Sequence, residues 1–386
     1  MKILQLGKFY PIRGGVEKVM WNLTQGLAER GVPCDMLCAK LKKDRPDPEH
    51  EIMASETKDG LVIAFGPENR IICVPALTKK AATMISPAMI VWLRKHAREY
   101  DIIHVHHPDP MAALALWLSG YKGRIILHWH SDIVAQKLLL HFYKPLQKWL
   151  IQRAEWIVGT TPIYLEKSPA LYYVQQKTVC VPIGIAPVIY EPDQAEHFRN
   201  LYPGKKIVFA LGRLVAYKGF HYLVEAARLL PDNYVVLIGG TGPLKEELQE
   251  QIHRLHLDKK VRMLGFIQNE YLPEMFGACD VFVMSSQMKT EAFGIVQIEA
   301  MSCGRPVVAT TIPGSGVSWV NENGFSGLNV PPKDPKALAS AITAVCSDED
   351  TYLRFRAGAM ERFENCFTSR IMIDRIMHLY ENDEYY

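Results

Sequence analysis

The sequence predicts an α/β protein of two Rossmann-like domains. Short apolar runs alternate with amphipathic stretches along the whole chain, the pattern of parallel sheets covered on both faces. At 386 residues the chain is long enough for two domains of ordinary size, each with its own core. A proline-rich segment without periodicity, Pro182 to Pro192, divides it near the middle and reads as a linker. The expected domains are 1–185 and 186–367.

In the first half, strands are expected near Lys2–Leu6, Pro33–Ala39, Leu61–Phe65, Ile71–Val74, Ile102–His106, Ile125–His128, Trp156–Gly159 and Thr178–Val181. The first helix is expected after a Gly14-Gly15 loop, running to about Arg30 and closed by Gly31. The second half repeats the logic. Its strands are expected at Ile207–Gly212, Tyr234–Gly239, Val261–Gly265, Val281–Ser285, Pro306–Thr310 and Gly327–Val330.

Composition narrows the class. Apolar residues are 48% and charged residues 22%, the range of a soluble globular protein. The eight cysteines (34, 38, 73, 180, 279, 303, 346 and 366) include no C-x2-C pair, so they read as reduced core residues of a cytoplasmic protein. The opening MKILQLGKFYP has too short an apolar run for a signal peptide, and no uncharged stretch approaches the roughly 20 residues of a membrane span.

The net charge of +3 hides an asymmetry. Residues 1–190 carry 24 Lys+Arg against 16 Asp+Glu and the remainder 20 against 25, so a half at +8 is joined to one at −5. Such a split points to an anionic partner for the first half. Two stretches, Lys79–Arg98 and Gln136–Arg153, interleave cations with aromatic and aliphatic residues, among them Trp92, Phe142, Tyr143 and Trp149. They are expected either at an anionic membrane surface or as amphipathic core helices with solvated basic faces. Nucleic acid is not expected, because no stacking platform or reading helix accompanies the basic residues.

The most informative run is TEAFGIVQIEAMSCGRPVVAT, Thr290 to Thr310. A helix starting inside it leaves Glu291 on the preceding loop and places Glu299 about two turns in. Free N–H groups from Phe293, Gly294, Ile295 and Val296 then lie between the two carboxylates. Helix starts of this kind bind phosphate, and an ionised carboxylate accepts hydrogen bonds from ribose hydroxyls. In the second informative run, LGRLVAYKGFHYLVEAARLL, a strand leads into Arg213 and Lys218 on one loop. A planar guanidinium fork and a point charge so placed suit a diphosphate, and glycines beside both cations permit close approach.

With these segments together, the chain resembles the family 4 glycosyltransferases, retaining enzymes of the GT-B fold. GKFYPIRGGVEKVMWNLTQGLAERGVPCDMLCA, DIIHVHHPDP, LHWHSD, GRLVAYKG, IGGTGP, LGFI and E-x7-E occur in family order across almost the whole length. The resemblance implies two Rossmann-like domains facing each other across a cleft. It also implies an acceptor-binding first domain, a nucleotide-sugar-binding second domain, and a final helix, within 368–386, crossing back onto the first. Gly14 and Gly15 would then line the donor site and His130 would bind the sugar beside the reacting carbon. Phe266 and Ile267, after LG, are expected to border the nucleobase.

Other chemistries fit less well. GGTGP lacks the third glycine and the downstream acidic residue of a dinucleotide site. His104, His106, His107 and Asp109 follow one strand, and His128, His130 and Asp132 end another. This invites a metal reading, but no third ligand-bearing segment is evident and the family works without a bound ion, so neither metal nor cofactor is expected.

The resemblance implies transfer of a hexose from a nucleotide diphosphate sugar with retention. A covalent glycosyl–enzyme route needs two carboxyl groups about 5 Å apart. With Glu299 assigned to ribose, only Glu291 remains near the sugar. A front-face route is therefore expected, in which Arg213, Lys218 and the helix start stabilise the departing phosphate. Similarity to bacterial O-antigen and exopolysaccharide mannosyltransferases, in HSDIVAQK and PGSGVSWVNENGFSGLNVPP, favours GDP-mannose over UDP-sugars. The basic first half favours a lipid-linked acceptor, carried on undecaprenyl diphosphate at the inner face of the cytoplasmic membrane, over a soluble one. A GT-B nucleotide-sugar epimerase is the rival reading, and a catalytically silent sugar-nucleotide-binding subunit is disfavoured by the joint presence of Arg213, Lys218, Glu291 and Glu299.

Overall fold

β-Branched and aliphatic runs set the strands, and every strand expected from the sequence forms, with ends shifted by a residue or a few. The structure, a computed structural model, describes all residues except 13, 46–52, 81–82, 134–136 and 383–386, and leaves out the side chains of 137–140 and 142. Gln136 and the Phe142 side chain of the second basic stretch therefore lie outside the described residues, as does the end of the last expected helix. The first eleven strands are β1 Ile3–Phe9, β2 Cys34–Leu41, β3 Ala54–Thr57, β4 Gly60–Gly66, β5 Asn69–Ala76, β6 Thr78–Lys80, β7 Thr83–Ile85, β8 Ile102–His107, β9 Arg124–Trp129, β10 Trp156–Gly159 and β11 Thr178–Cys180. The remaining six are β12 Lys206–Leu211, β13 Tyr234–Gly239, β14 Val261–Gly265, β15 Val281–Met284, β16 Val307–Thr310 and β17 Gly327–Val330.

The chain divides into two units, Met1–Gly184 with Ser369–Tyr386, and Ile185–Thr368. The first contains a nine-stranded sheet in the order β11-β10-β9-β8-β1-β2-β5-β4-β3. The expectation of parallel pairing throughout is corrected at its edge: β4 pairs antiparallel to β5, and β3 to β4. Turns at Lys58-Asp59 and Pro67-Glu68 are too short for a parallel crossover, which needs a dozen residues or more. Tyr10, Met20, Met36, Ile63, Ile71 and Cys73 fill the core beneath this edge.

The second unit is a six-stranded parallel sheet in the order β14-β13-β12-β15-β16-β17. Strand order reverses between β12 and β15, and ligands of open parallel sheets bind outside the carboxyl ends of the strands at such a switch point. In the first sheet the corresponding point lies between β1 and β8.

The helix Ser369–Glu381 belongs to the first unit. Gly26, on the helix Gly15–Glu29, leaves the space that Ile373 fills. Arg30 pairs with Asp374 at 2.7 Å, and Arg124 donates to the carbonyls of Tyr380 at 2.7 Å and Leu379 at 3.3 Å. All eight cysteines are free, six of them buried. Among the described residues, no helix is long and apolar enough to cross a membrane.

Candidate functional site

The loop leaving β12 is stitched to the loop leaving β15. Gly219 stands between the turn Ala216–Lys218 and the helix Phe220–Ala227 with φ 67°, and a Cβ there would collide with the Ser285 carbonyl oxygen. Only glycine meets both demands. Ser285 Oγ donates to the Lys218 carbonyl at 3.0 Å, and Gln287 bonds the carbonyls of Tyr217 at 2.8 Å and Ala216 at 2.6 Å. The Lys218 side chain runs over Gly212 and places Nζ 2.5 Å from Glu291 Oε2. Ser286 Oγ donates to the same carboxylate oxygen at 3.2 Å, and Ser315 Oγ to the Glu291 carbonyl at 2.5 Å. Two of the expected residues, 73 positions apart, are thus one ion pair at the switch point. Arg213 stands apart, exposed and without an ion pair or hydrogen bond from its guanidinium among the described residues.

The helix after Glu291 is Ile295–Ser302, capped by Gly294 at φ 78°. Glu299 therefore stands just past one turn in, not two. Its side chain is half-buried. The N–H groups of Ile295 and Val296, in the first turn, have no intrahelical acceptor. Phe293 is 4% exposed and packs edge-on against Phe367 at 5.9 Å, so its ring is core and only its backbone faces the loop. On the neighbouring loop, Phe266 is 75% exposed, whereas Ile267 packs over Gly239.

In the first unit, Gly14 is the extended N-cap and Gly15 the first residue of the helix Gly15–Glu29, rather than a loop pair. The Glu17 carboxylate folds over Gly14, into the space a Cβ would fill.

Strands β8 and β9 carry a ladder of imidazoles at their carboxyl ends. His104, His106, His128 and His130 are all within 5% of complete burial. His128 and His130 stack at 4.1 Å, His106 and His130 at 5.2 Å, and His104 lies 5.0 Å from His106 and 5.3 Å from His128. Burial pushes every one of them below the usual histidine range, His128 to about 3; the neighbouring imidazoles also disfavour a charge on His104, His106 and His130, as does Lys8 at His106 and His130. His107 stacks on Trp129 at 3.7 Å and is held at about 3 by the same burial. These imidazoles are neutral at physiological pH.

Hydrogen bonds tie the ladder to residues that the motifs leave out. His106 Nδ1 lies 2.9 Å from His130 Nε2 and His106 Nε2 lies 2.8 Å from Gln5 Oε1. Gln5 Nε2 donates to Tyr380 Oη at 3.1 Å, and Tyr380 Oη lies 2.5 Å from His104 Nδ1. The missed signal was Gln5 itself, a polar residue at the centre of a buried apolar strand.

The ladder also bears on metal binding. One nitrogen from each of His106, His128 and His130 lies within 4.8 Å of the others, so three imidazoles converge although only two chain segments supply them. A ligand imidazole aims a ring-plane lone pair at an ion about 2.0–2.1 Å away. Here the rings are within 22° of parallel, and the His106 and His130 nitrogens already share a proton. The three rings stack on and hydrogen-bond to one another.

Among the described residues, the aromatic side chains of the two basic stretches are largely drawn inward. Trp92 and Tyr143 are each 7% exposed, and Trp149 is half-buried. Leu77, Val91, Lys79, Lys80, Arg94 and Lys95 are exposed, as are Lys144 and Lys148.

Comparison with known proteins follows the two units. Residues 13–187 match the family model described as Glycosyltransferase Family 4, and residues 193–362 match Glycosyl transferases group 1. The chain is 32% identical to O-antigen chain mannosyltransferase C of Escherichia coli over 98% of both chains. It is 28% identical to D-rhamnosyltransferase WbpZ of Pseudomonas aeruginosa, over 96% of this chain and 93% of the relative. Among solved structures, sucrose-phosphate synthase from Thermosynechococcus elongatus superposes with a TM-score of 0.79 at 22% identity, covering 99% of this chain and 98% of the other. Anabaena HepE in complex with UDP gives 0.78 at 20% identity, covering 99% and 100%.

Proposed function

The chain belongs to glycosyltransferase family 4, and on that premise we propose that it moves mannose from GDP-mannose, with retention, to a hydroxyl of a growing lipid-linked glycan. The GT-B fold, the hexosyltransferase class and a place in polysaccharide biosynthesis come with the membership. One observation carries the finer reading of the site: Lys218 and Glu291 meet at 2.5 Å on the two loops that flank the strand-order reversal.

In this reading the donor diphosphate lies against Arg213, Lys218 and the first turn of Ile295–Ser302. The guanidinium is unengaged and the ammonium is already oriented. Fixed positive groups at the leaving phosphate stabilise the charge that grows there as the glycosidic bond breaks. Glu299 accepts from ribose hydroxyls, Glu291 faces the transferred sugar, and Phe266 and Ile267 border the base; on the first unit, His130 is the sugar-facing candidate. Gly14 and Gly15 are the first unit's candidate donor contacts. Glu291 is engaged by Lys218 and Ser286, which supports its role as an orienting group rather than a nucleophile. The departing phosphate then takes the acceptor proton on the same face of the sugar. Two cations and a helix start take the place of a metal ion.

The full-length relative named as a mannosyltransferase supports mannose and GDP. A second reading, a UDP-sugar donor, is favoured by the likeness to a protein solved with UDP. An acceptor on undecaprenyl diphosphate fits the basic first half and its exposed Leu77, Val91, Lys79 and Lys80, which suit reversible docking on the inner face of an anionic membrane.

A donor screen by thermal shift and hydrolysis tests this. GDP-mannose should give the largest stabilisation and should be turned over. Response to a UDP-sugar alone overturns the donor assignment, and acceptor-independent conversion of a UDP-sugar overturns transfer in favour of epimerisation.

A further inference from the structure

We propose that Gln5, His106 and Tyr380 act as positioning residues that fix which ring nitrogen of His130 carries its proton; this rests on the reading of His130 as a sugar-facing group. The four side chains form one hydrogen-bonded chain, Tyr380 to Gln5 to His106 to His130, with links of 3.1, 2.8 and 2.9 Å. None is more than 5% exposed, so water does not compete for any link.

Proton counting sets the order. Each neutral imidazole has one N–H and one acceptor nitrogen. The Gln5 amide nitrogen donates to Tyr380 Oη. Its carbonyl oxygen therefore faces His106, and His106 must donate to it from Nε2. The other nitrogen of His106, Nδ1, is left as an acceptor. His130 must then donate from Nε2 and hold Nδ1 unprotonated, free to accept from a sugar hydroxyl. At the far end Tyr380 accepts from Gln5 and so donates its own hydrogen to His104 Nδ1. That leaves His104 Nε2–H as the loose end, and His104 Nε2 is a buried atom without a partner among the described residues. Reversing the Gln5 amide would reverse every bond and move the His130 proton to Nδ1. The tautomer of His130 is thus decided two side chains away, on the first strand, and anchored by the last helix.

Histidine-labelled ¹⁵N NMR reads the tautomer directly, with the His130 signals assigned by their loss in His130→Asn. The wild-type protein should show His130 protonated at Nε2. Tyr380→Phe deletes one oxygen, and Gln5→Met keeps side-chain length while removing both bonds. Each should shift His130 towards a mixture of tautomers and lower kcat on the order of ten-fold, with the donor KM within two-fold of wild type. Gln5→Glu, when ionised, presents His106 with acceptor oxygens only, so it should restore the wild-type tautomer and most of kcat. An unchanged His130 tautomer in both Tyr380→Phe and Gln5→Met overturns the relay. A shifted tautomer with unchanged kcat supports the relay and overturns instead the placement of His130 beside the reacting sugar.

Discussion

Lys218 Nζ lies 2.5 Å from Glu291 Oε2, and the two side chains are only 13% and 12% exposed. Each is the other's counter-charge, held in a polar niche that Ser286 and Ser315 complete. Removing either partner strands the other in a poorly solvated place, which is more costly than losing an exposed ion pair.

The pair separates two variants that a simple clamp would equate. Lys218→Ala and Arg213→Ala should each lower kcat/KM by the equivalent of about 2–4 kcal/mol. Only Lys218→Ala should also destabilise the fold, by roughly 1–3 kcal/mol, because Glu291 loses its partner. Denaturant melts alongside initial rates check both. Activity within a few-fold of wild type in both variants would sink the diphosphate assignment.

The two glutamates should divide. Glu299→Gln weakens nucleotide binding, since a ribose hydroxyl loses a charged acceptor worth roughly 1.5–3 kcal/mol. Glu291→Gln mainly lowers turnover. Nucleotide affinity by calorimetry, set beside kcat, distinguishes them, and identical profiles would show that the roles are wrongly divided.

Chelation tests the imidazole ladder. Transfer should continue in EDTA at an unchanged rate. Loss of activity restored by Mg²⁺, Mn²⁺ or Zn²⁺ would instead assign His106, His128 and His130 to an ion.

The ladder also makes stability depend on pH, and the sign is fixed. His107 and His128 stay neutral in the folded state down to about pH 3, whereas in the unfolded chain they take up protons below about 6.5. The unfolded state then binds more protons, so stability falls as pH drops through that window and levels off above it. Each such imidazole contributes about 1.4 kcal/mol per pH unit once fully titrating. Urea midpoints at pH 7 and pH 5 measure the slope, and His128→Leu should flatten it by one residue's share. A pH-independent midpoint over this range contradicts the burial of neutral histidines.

Membrane docking is tested by sedimentation with liposomes. Association should require anionic lipid, weaken as salt rises, and drop in a Lys79→Glu, Lys80→Glu double variant, since each cation near such a surface is worth about 1 kcal/mol. Indifference to anionic liposomes at low salt removes the main support for a lipid-linked acceptor.

Much of the architecture was legible because buried parallel strands need runs such as IVFAL and YVVLIG, and helices between them need apolar spacing. What stayed hidden was polar or distant. β3 is Ala-Ser-Glu-Thr and largely exposed, so no apolar pattern marks it, and β6 is Thr-Lys-Lys. Phe293 sat in a loop motif that suggested ligand contact, but its ring is drawn inward by Phe367. Trp92 and Tyr143 lie beside cations in sequence, but helical periodicity turns neighbouring side chains to different faces. The cations and carboxylates of the second unit stood out within their own loops. That Lys218 and Glu291 bond to each other depends on the adjacency of β12 and β15, which a local motif does not encode.

The return of Ser369–Glu381 to the first unit has a consequence for biosynthesis. Gln5 and His104 find Tyr380, and Gly26 finds Ile373, only after the ribosome has made everything between. Residues 185–368 take roughly 10–40 s to translate at about 5–20 residues per second. For that interval the N-terminal half waits with one side of its core open to water, while the intervening unit, continuous in sequence, can complete itself first. The nascent chain therefore emerges amino-terminus first but finishes folding from its middle outward. A stop codon after Thr368 would spare the second unit and leave the first without its closing helix.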